Sequence, residues 1–236
     1  MKLLAIASMF FCCLLAPSTS NETEFSLLHQ DLHTLLQPQT LGLMALGVGG
    51  AYLAHHWDDD LRGEVSDSQP LKTLFDLGNY YGSTTYGVLA TGGLWTFSRL
   101  AHRRGLQPVA SEVLRALTLS NAMVSPFKFA VARKRPDGSN GLSFPSGHSA
   151  NSFALTTVLT RRYGWRLGLP LYAFTATVPL ARIHANKHFF SDVFGGAVIG
   201  IIAGWSVTRP KEGRGRVELV PEGGPGYFLL SARQRF

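Results

Sequence analysis

Cysteine is almost missing from this 236-residue chain; the two present, Cys12 and Cys13, are adjacent and lie inside one apolar run. If that run is removed, the mature chain holds neither a disulfide nor a thiol site. Charge is also scarce, at 16% of residues, against about 25% in an ordinary soluble domain. With mean hydropathy at +0.09, the shortage points toward contact with a membrane. Acidic residues are the scarcer sign, 15 against 22 basic, and the formal charge of +7 suits anionic partners such as phosphates or acidic lipids. Nucleic acid is not among them, because the basic residues are scattered and no aromatic-interleaved basic face is present. Repeats, low-complexity segments and long linkers are absent, and alternating strand patterns are nearly so until the tail.

What is present reads as an exported helical protein. Residues 1–20 resemble a signal peptide, with Lys2 at the start, an apolar run from Leu3 to Ala16, and the small residues Ser18, Thr19 and Ser20. That run is shorter than the roughly 18 residues a spanning helix needs. A helical domain is expected over 21–208, and a basic tail over 209–236, where "RVELV" and "YFLLSA" flank "PEGGPG" as a small β-hairpin. The expected fold is all-α: a six-helix up-and-down bundle. A weakly amphipathic stretch, Phe25–Leu36, precedes the first helix. The six helices run Leu41–Trp57, Leu77–Leu100, Val109–Ala132, Ser146–Tyr163, Leu167–Ile183 and Phe189–Val207. "DDDLRGEVSDSQP" and "RKRPDGSNG" read as loops.

Three short stretches carry chemistry. Lys128 and Arg135-Pro136 close the third helix, where an ammonium and a planar guanidinium can hold one phosphate between them. "SFPSGHSANSF" begins the fourth. Its plain account is a capped helix start, with Pro145 leading in and Ser146 as cap. That account does not explain Gly147, which weakens a helix, or His148 in the first turn. Free N–H groups at a helix start form an anion site, Gly147 lets backbone approach a ligand, and His148 can give a proton to a departing oxygen. In "RIHANKHFFSDV", Arg182 precedes His188, and Asp192 follows four residues on, on the same helical face. There the carboxylate can take one ring N–H of His188 and leave the other nitrogen nucleophilic. In an up-and-down bundle the turns after helices three and five share one end, so all eight residues can meet in one cleft.

Together the stretches resemble the signature of the type 2 phosphatidic acid phosphatase superfamily, which also holds bacterial acid phosphatases and vanadium haloperoxidases. The resemblance spans Lys128 to Asp192 and continues through "VFGGAVIGIIAG". It implies that His188 attacks phosphorus to form a phosphohistidine, that Asp192 orients it, and that His148 protonates the leaving group and then activates water. Lys128, Arg135, Ser146, Gly147 and Arg182 would hold the phosphoryl oxygens, with no metal or other cofactor. The serine that usually precedes the third-motif arginine is Ala181 here, which removes a hydroxyl contact and no central group. The expected function is metal-independent hydrolysis of a lipid phosphate or diphosphate. Three alternatives stand beside it: a broad-specificity periplasmic acid phosphatase, a vanadate-dependent haloperoxidase, and a non-catalytic membrane protein. "HHWDDD" (55–60) reads as a solvated acidic turn, and Arg133, Lys134, His102 and His184 receive no role beyond local charge.

Only Leu77–Ser98, 22 residues without charge, is long enough to cross a bilayer. Arginines cluster in the second–third and fourth–fifth connections. If all six helices span, that places those turns in the cytoplasm and the active site outside. The same arrangement starts helix one inside, which a cleaved signal forbids. The expectation is therefore a bacterial inner membrane location with the site facing the periplasm, or an exported protein bound to the membrane, with membrane lipids as partners.

Overall fold

The computed structural model describes residues 24–66, 72–102, 106–208, 216–224 and 227–235. The expected signal peptide and the first residues of the tail lie outside them. The described chain up to residue 208 is helical: α1 (Glu24–Leu35), α2 (Pro38–Ala54), α3 (Asp58–Ser66), α4 (Lys72–Tyr81), α5 (Thr84–Leu100), α6 (Gln107–Val131), α7 (Gly147–Tyr163), α8 (Trp165–Thr175), α9 (Thr177–His184) and α10 (Phe190–Val207). Beyond it, β1 (Arg216–Gly224) pairs antiparallel with β2 (Tyr227–Arg235), Gly224 opposite Tyr227 at the turn.

The all-α architecture agrees with the sequence, but three elements do not. The expected acidic loop is α3, whose first turn carries Asp58, Asp59 and Asp60, where carboxylates offset the positive end of the helix. The expected second helix is two, α4 and α5, separated at Gly82-Ser83. Gly82 is pressed against the start of α7: a Cβ there would lie 2.9 Å from the His148 carbonyl oxygen and 2.7 Å from Val178 Cγ1. The 22-residue uncharged stretch is therefore not one spanning helix. The expected fifth helix divides into α8 and α9 around Ala176, because Pro179 has no N–H to return to the Thr175 carbonyl.

Most of the packing is organised around α7 and α10. Gly196, Gly200 and Gly204 form a stripe along α10 that lets the two backbones touch. A Cβ at Gly196 would lie 2.3 Å from the Ser146 carbonyl oxygen, one at Gly200 2.2 Å from that of Ala150, and one at Gly204 2.7 Å from that of Ala154. Val109, Val113, Ala116 and Leu117 of α6 close over this pair, meeting Ala154 and Val158 of α7 and Ala203 and Val207 of α10. Burying apolar area of this kind is the main force holding the layers together. A polar seam fixes the sideways register. Asn121 Nδ2 donates to Asn151 Oδ1 at 2.8 Å, and Asn151 Nδ2 donates to Thr84 Oγ1 at 2.6 Å. With α7 and α10 locked start to start, the loop after α6 and the loop after α9 meet at one end. There the Asp137 N–H donates to the Asn186 carbonyl at 3.1 Å.

Candidate active site

Ser146 is the N-cap of α7, its Oγ accepting from the Ser149 N–H. Its own N–H donates to the Asp192 carbonyl at 2.9 Å, tying the start of α7 to the start of α10. Gly147 follows with nothing within 4 Å of a would-be Cβ. Packing does not demand a glycine there; open space in front of a helix N-terminus is what an approaching anion needs. His148, half-buried in the first turn, rests with its backbone and Cβ against Gly82.

Lys128 sits one turn from the end of α6 and curls over the approach to α7. Its Nζ donates to the Leu142 carbonyl at 2.8 Å and to the Pro145 carbonyl at 2.7 Å. α6 ends because Ala132 takes a left-handed conformation, φ 46°, which turns the chain outward through Arg133 and Arg135. Arg135 is held by Asn140, Nε to Oδ1 at 2.9 Å. Arg182, near the end of α9, gives Nη1 to Asn79 Oδ1 on α4 at 2.9 Å, while its buried Nε has no hydrogen-bond partner. Burial, with Arg135 nearby, draws the Arg182 pKa down to about 10, so the group stays cationic in a place that water solvates poorly. A dry, half-satisfied guanidinium beside a second one is a strong invitation to an oxyanion.

His188 is 2% exposed, and its Nδ1 lies 3.7 Å from Asp192 Oδ2. Asp192 itself is fully buried. Burial dominates the imidazole and holds its pKa down to about 4; Asp192 pulls the other way, and the cations Arg182 and Lys128 push it further down. The ring is therefore neutral at pH 7. With Nδ1 facing a carboxylate, the favoured tautomer carries its proton there and leaves Nε2 as a lone-pair donor. The charges of Lys128, Arg182 and Arg135 are felt within this group. The structure thus brings all eight expected residues to the junction of the α6, α7, α9 and α10 ends.

Several residues at the junction were not expected. Asp192 accepts from three donors: the Phe189 N–H at 2.8 Å, Arg133 Nη1 at 2.9 Å, and the Ser143 hydroxyl. Its bond to Phe189 N is half of a capping box at the start of α10. Arg133 does not stop at Asp192. Its Nη2 donates to Asp58 Oδ2 at 2.8 Å and its guanidinium lies 4.0 Å over the Phe189 ring. Asp58 is 3% exposed and also accepts from the Ser191 N–H and hydroxyl, each at 2.8 Å. The solvated-turn reading of "HHWDDD" therefore holds for exposed Asp59 and Asp60 and is corrected for Asp58. Arg133 likewise has a definite structural place. Among the described residues, no three His, Asp or Glu side chains converge as metal ligands.

The family model described as PAP2 superfamily matches residues 110–215, a span from α6 through α10 that includes every residue of the cluster contributed by those helices. Over this part the chain is similar to the PAP2 superfamily. The crystal structure of Aquifex aeolicus LpxE superimposes with a TM-score of 0.53 at 26% identity, covering 64% of this chain and 93% of that one. A Lipid A 1-phosphatase of Porphyromonas gingivalis is 37% identical over 91 residues, 37% of this chain and 20% of that protein. A Lipid A 4'-phosphatase of Helicobacter pylori is 32% identical over 66 residues, 28% of this chain and 33% of that protein. The chain thus matches a third or less of the length of these curated relatives.

Proposed function

We propose that this protein removes phosphate from a lipid headgroup by way of a phosphohistidine on His188. The observation that carries the reading is a buried, neutral imidazole backed by Asp192, with the charges of Arg182 and Lys128 close by and the buried Arg182 Nε lacking a hydrogen-bond partner. In the first step the Nε2 lone pair of His188 forms the P–N bond as the P–O bond to the lipid breaks. His148 passes its proton to the departing alkoxide. Asp192 stabilises the positive charge that develops on the ring. In the second step His148 takes a proton from water, the hydroxide oxygen bonds to phosphorus, and the P–N bond breaks to free phosphate and restore His188. Lys128, Arg135 and Arg182, with the Ser146 hydroxyl and the Gly147 N–H, neutralise the equatorial oxygens in both steps. No proton or electron is left unaccounted for, and no metal enters the scheme.

The two curated relatives named above are lipid A phosphatases, and lipid A is the first substrate to try. Membrane association is part of the same proposal. Leu46, at 73% exposed, and Tyr52 on α2, with Leu89 and Phe97 on α5, present apolar side chains outward, as a lipid-facing surface would. Among the described residues α10 is the one helix long and apolar enough to cross a membrane, yet 61% of that window is buried in the protein. We place the site on the periplasmic side of a bacterial inner membrane, following the arginine-rich connections on the opposite end of the bundle.

The deciding assay is phosphate release from detergent-dispersed lipid A and phosphatidic acid, with EDTA present, by the unaltered protein and by His188→Ala. Release by the former and loss of at least about a thousandfold in the latter is expected for removal of a nucleophile. Equal release by both would overturn the phosphohistidine route, and dependence on added divalent metal would overturn the metal-independent scheme.

A further inference from the structure

The nucleophile's carboxylate is not held by its own helix alone. Arg133 Nη1 donates both to Asp192 Oδ1 at 2.9 Å and to the Ser191 hydroxyl at 2.7 Å, while its Nη2 donates to Asp58 Oδ2 at 2.8 Å. The Ser191 hydroxyl in turn donates to Asp58 Oδ2, and the Ser191 N–H donates to Asp58 Oδ1. The result is a closed ring joining α3 to the start of α10. His55 adds Nδ1 to Asp58 Oδ2 at 2.6 Å. From these contacts we infer that Asp58 and Arg133 are positioning residues for the His188–Asp192 pair, and that α3 is part of the catalytic apparatus.

The physical argument has a geometric part and an electrostatic part. Arg133 holds Asp192 Oδ1, while the Phe189 N–H and the Ser143 hydroxyl hold Oδ2, the oxygen nearest His188 Nδ1. Without the Arg133 fork the carboxylate is held from the Oδ2 side alone, and its soft last torsion gains freedom to swing Oδ1. Charge works in the second part. A guanidinium bonded to Asp192 alone would cancel the negative charge that has to stabilise the ring as it takes on positive charge. Asp58, buried and facing the other edge of the same guanidinium, absorbs much of that cation and leaves Asp192 anionic toward His188. Burial pushes the Asp58 carboxyl up, but the bonds from Arg133, the Ser191 backbone and His55 prevail and hold it below its usual value, so it stays charged. Arrangements of this kind, in which an outer group fixes and tunes the group that orients an imidazole, typically cost 10- to 100-fold when broken.

The inference rests on the phosphohistidine reading, and the test separates the two. Asp58→Asn, Asp59→Asn and the paired variant Asp58→Asn with Arg133→Gln are compared in full-length protein, in detergent. The pair is included because neutralising one partner alone leaves a buried charge. Expected for Asp58→Asn and for the pair is a kcat lower by about 10- to 100-fold, with KM for the dispersed lipid phosphate within about twofold. Asp59, exposed one residue away, should show no change. The second arm needs no turnover: ring ¹⁵N NMR of His188 at neutral pH should report the Nδ1-protonated tautomer in the unaltered protein and a mixture in the variants. A fall in thermal stability with kcat, KM and tautomer all unchanged would mean a merely structural ring and overturn the inference. If the unaltered protein releases no phosphate, the activity reading fails, and an unmoved tautomer would then overturn this one independently.

Discussion

At the scale of residues, the feature that decides the chemistry is how far burial outweighs the carboxylate at His188. An imidazole with an acid beside it usually gains a proton more easily than free histidine, yet here the pKa falls to about 4 from 6.5 because the ring is dry and flanked by Arg182 and Lys128. The linkage follows from the sign of that shift. Between roughly pH 4 and 6.5 the unfolded chain binds the proton and the folded chain does not, so this group's contribution to stability is complete above about 6.5 and is lost as pH falls toward 4. Thermal melts at pH 7 and 4.5 should therefore differ more for the unaltered protein than for His188→Asn; equal differences would show that His188 is not the group responsible. The residues proposed for this chemistry were legible because each motif pairs an unusual residue with a cost: a glycine in a first turn, a proline after a basic pair, a histidine four residues before an aspartate. Arg133 and Asp58 were not legible as partners. Two basic residues before Arg135 and an aspartate run after "HHW" were visible, but only the docking of α3 against the start of α10 makes them neighbours.

Among elements, the α7–α10 contact governs the site, since it fixes Ser146 against Asp192. Its close approach depends on glycines whose missing Cβ atoms would strike backbone. Gly200→Ala places a methyl 2.2 Å from the Ala150 carbonyl oxygen and 2.9 Å from the Ala154 nitrogen, so the helices must separate. A loss of about 1–3 kcal/mol is expected, with activity falling as the two helix starts part. Gly92→Ala on α5, where nothing lies within 4 Å of the new methyl, should instead hold or raise stability by up to about 1 kcal/mol. Chemical denaturation of the two variants checks the contrast; similar behaviour would mean that the stripe is not a contact. "VFGGAVIGIIAG" made this helix easy to recognise, but the close neighbour its glycines admit is visible only in the fold. The helix breaks were harder. An apolar run such as Leu77–Leu100 looks continuous until His148 and Val178 are packed against Gly82, and the same holds for Leu167–Ile183, where Pro179 was the available signal.

For the whole molecule, scarce charge pointed toward contact with a membrane, and α2 and α5 do present large apolar side chains outward, but individual helix lengths did not fit a simple six-span scheme. Outward-facing Leu46, Val48, Tyr52 and Leu53 on α2 predict that the protein stays with membranes through an alkaline carbonate wash and comes away only in detergent. Its appearance in the wash supernatant would end the integral reading and leave an exported, peripheral enzyme. The break between α4 and α5 has another consequence, for how this scaffold could be retuned. The backbone of His148 is backed by the chain itself at Gly82, where a Cβ would lie 2.9 Å from the His148 carbonyl oxygen, so a larger residue at position 82 would press directly on the start of α7. New headgroup preferences have to be written at the rim instead, in the 134–140 and 185–187 loops that Asp137 and Lys187 bridge. Variation among such enzymes is expected to concentrate there, with the rear wall staying small.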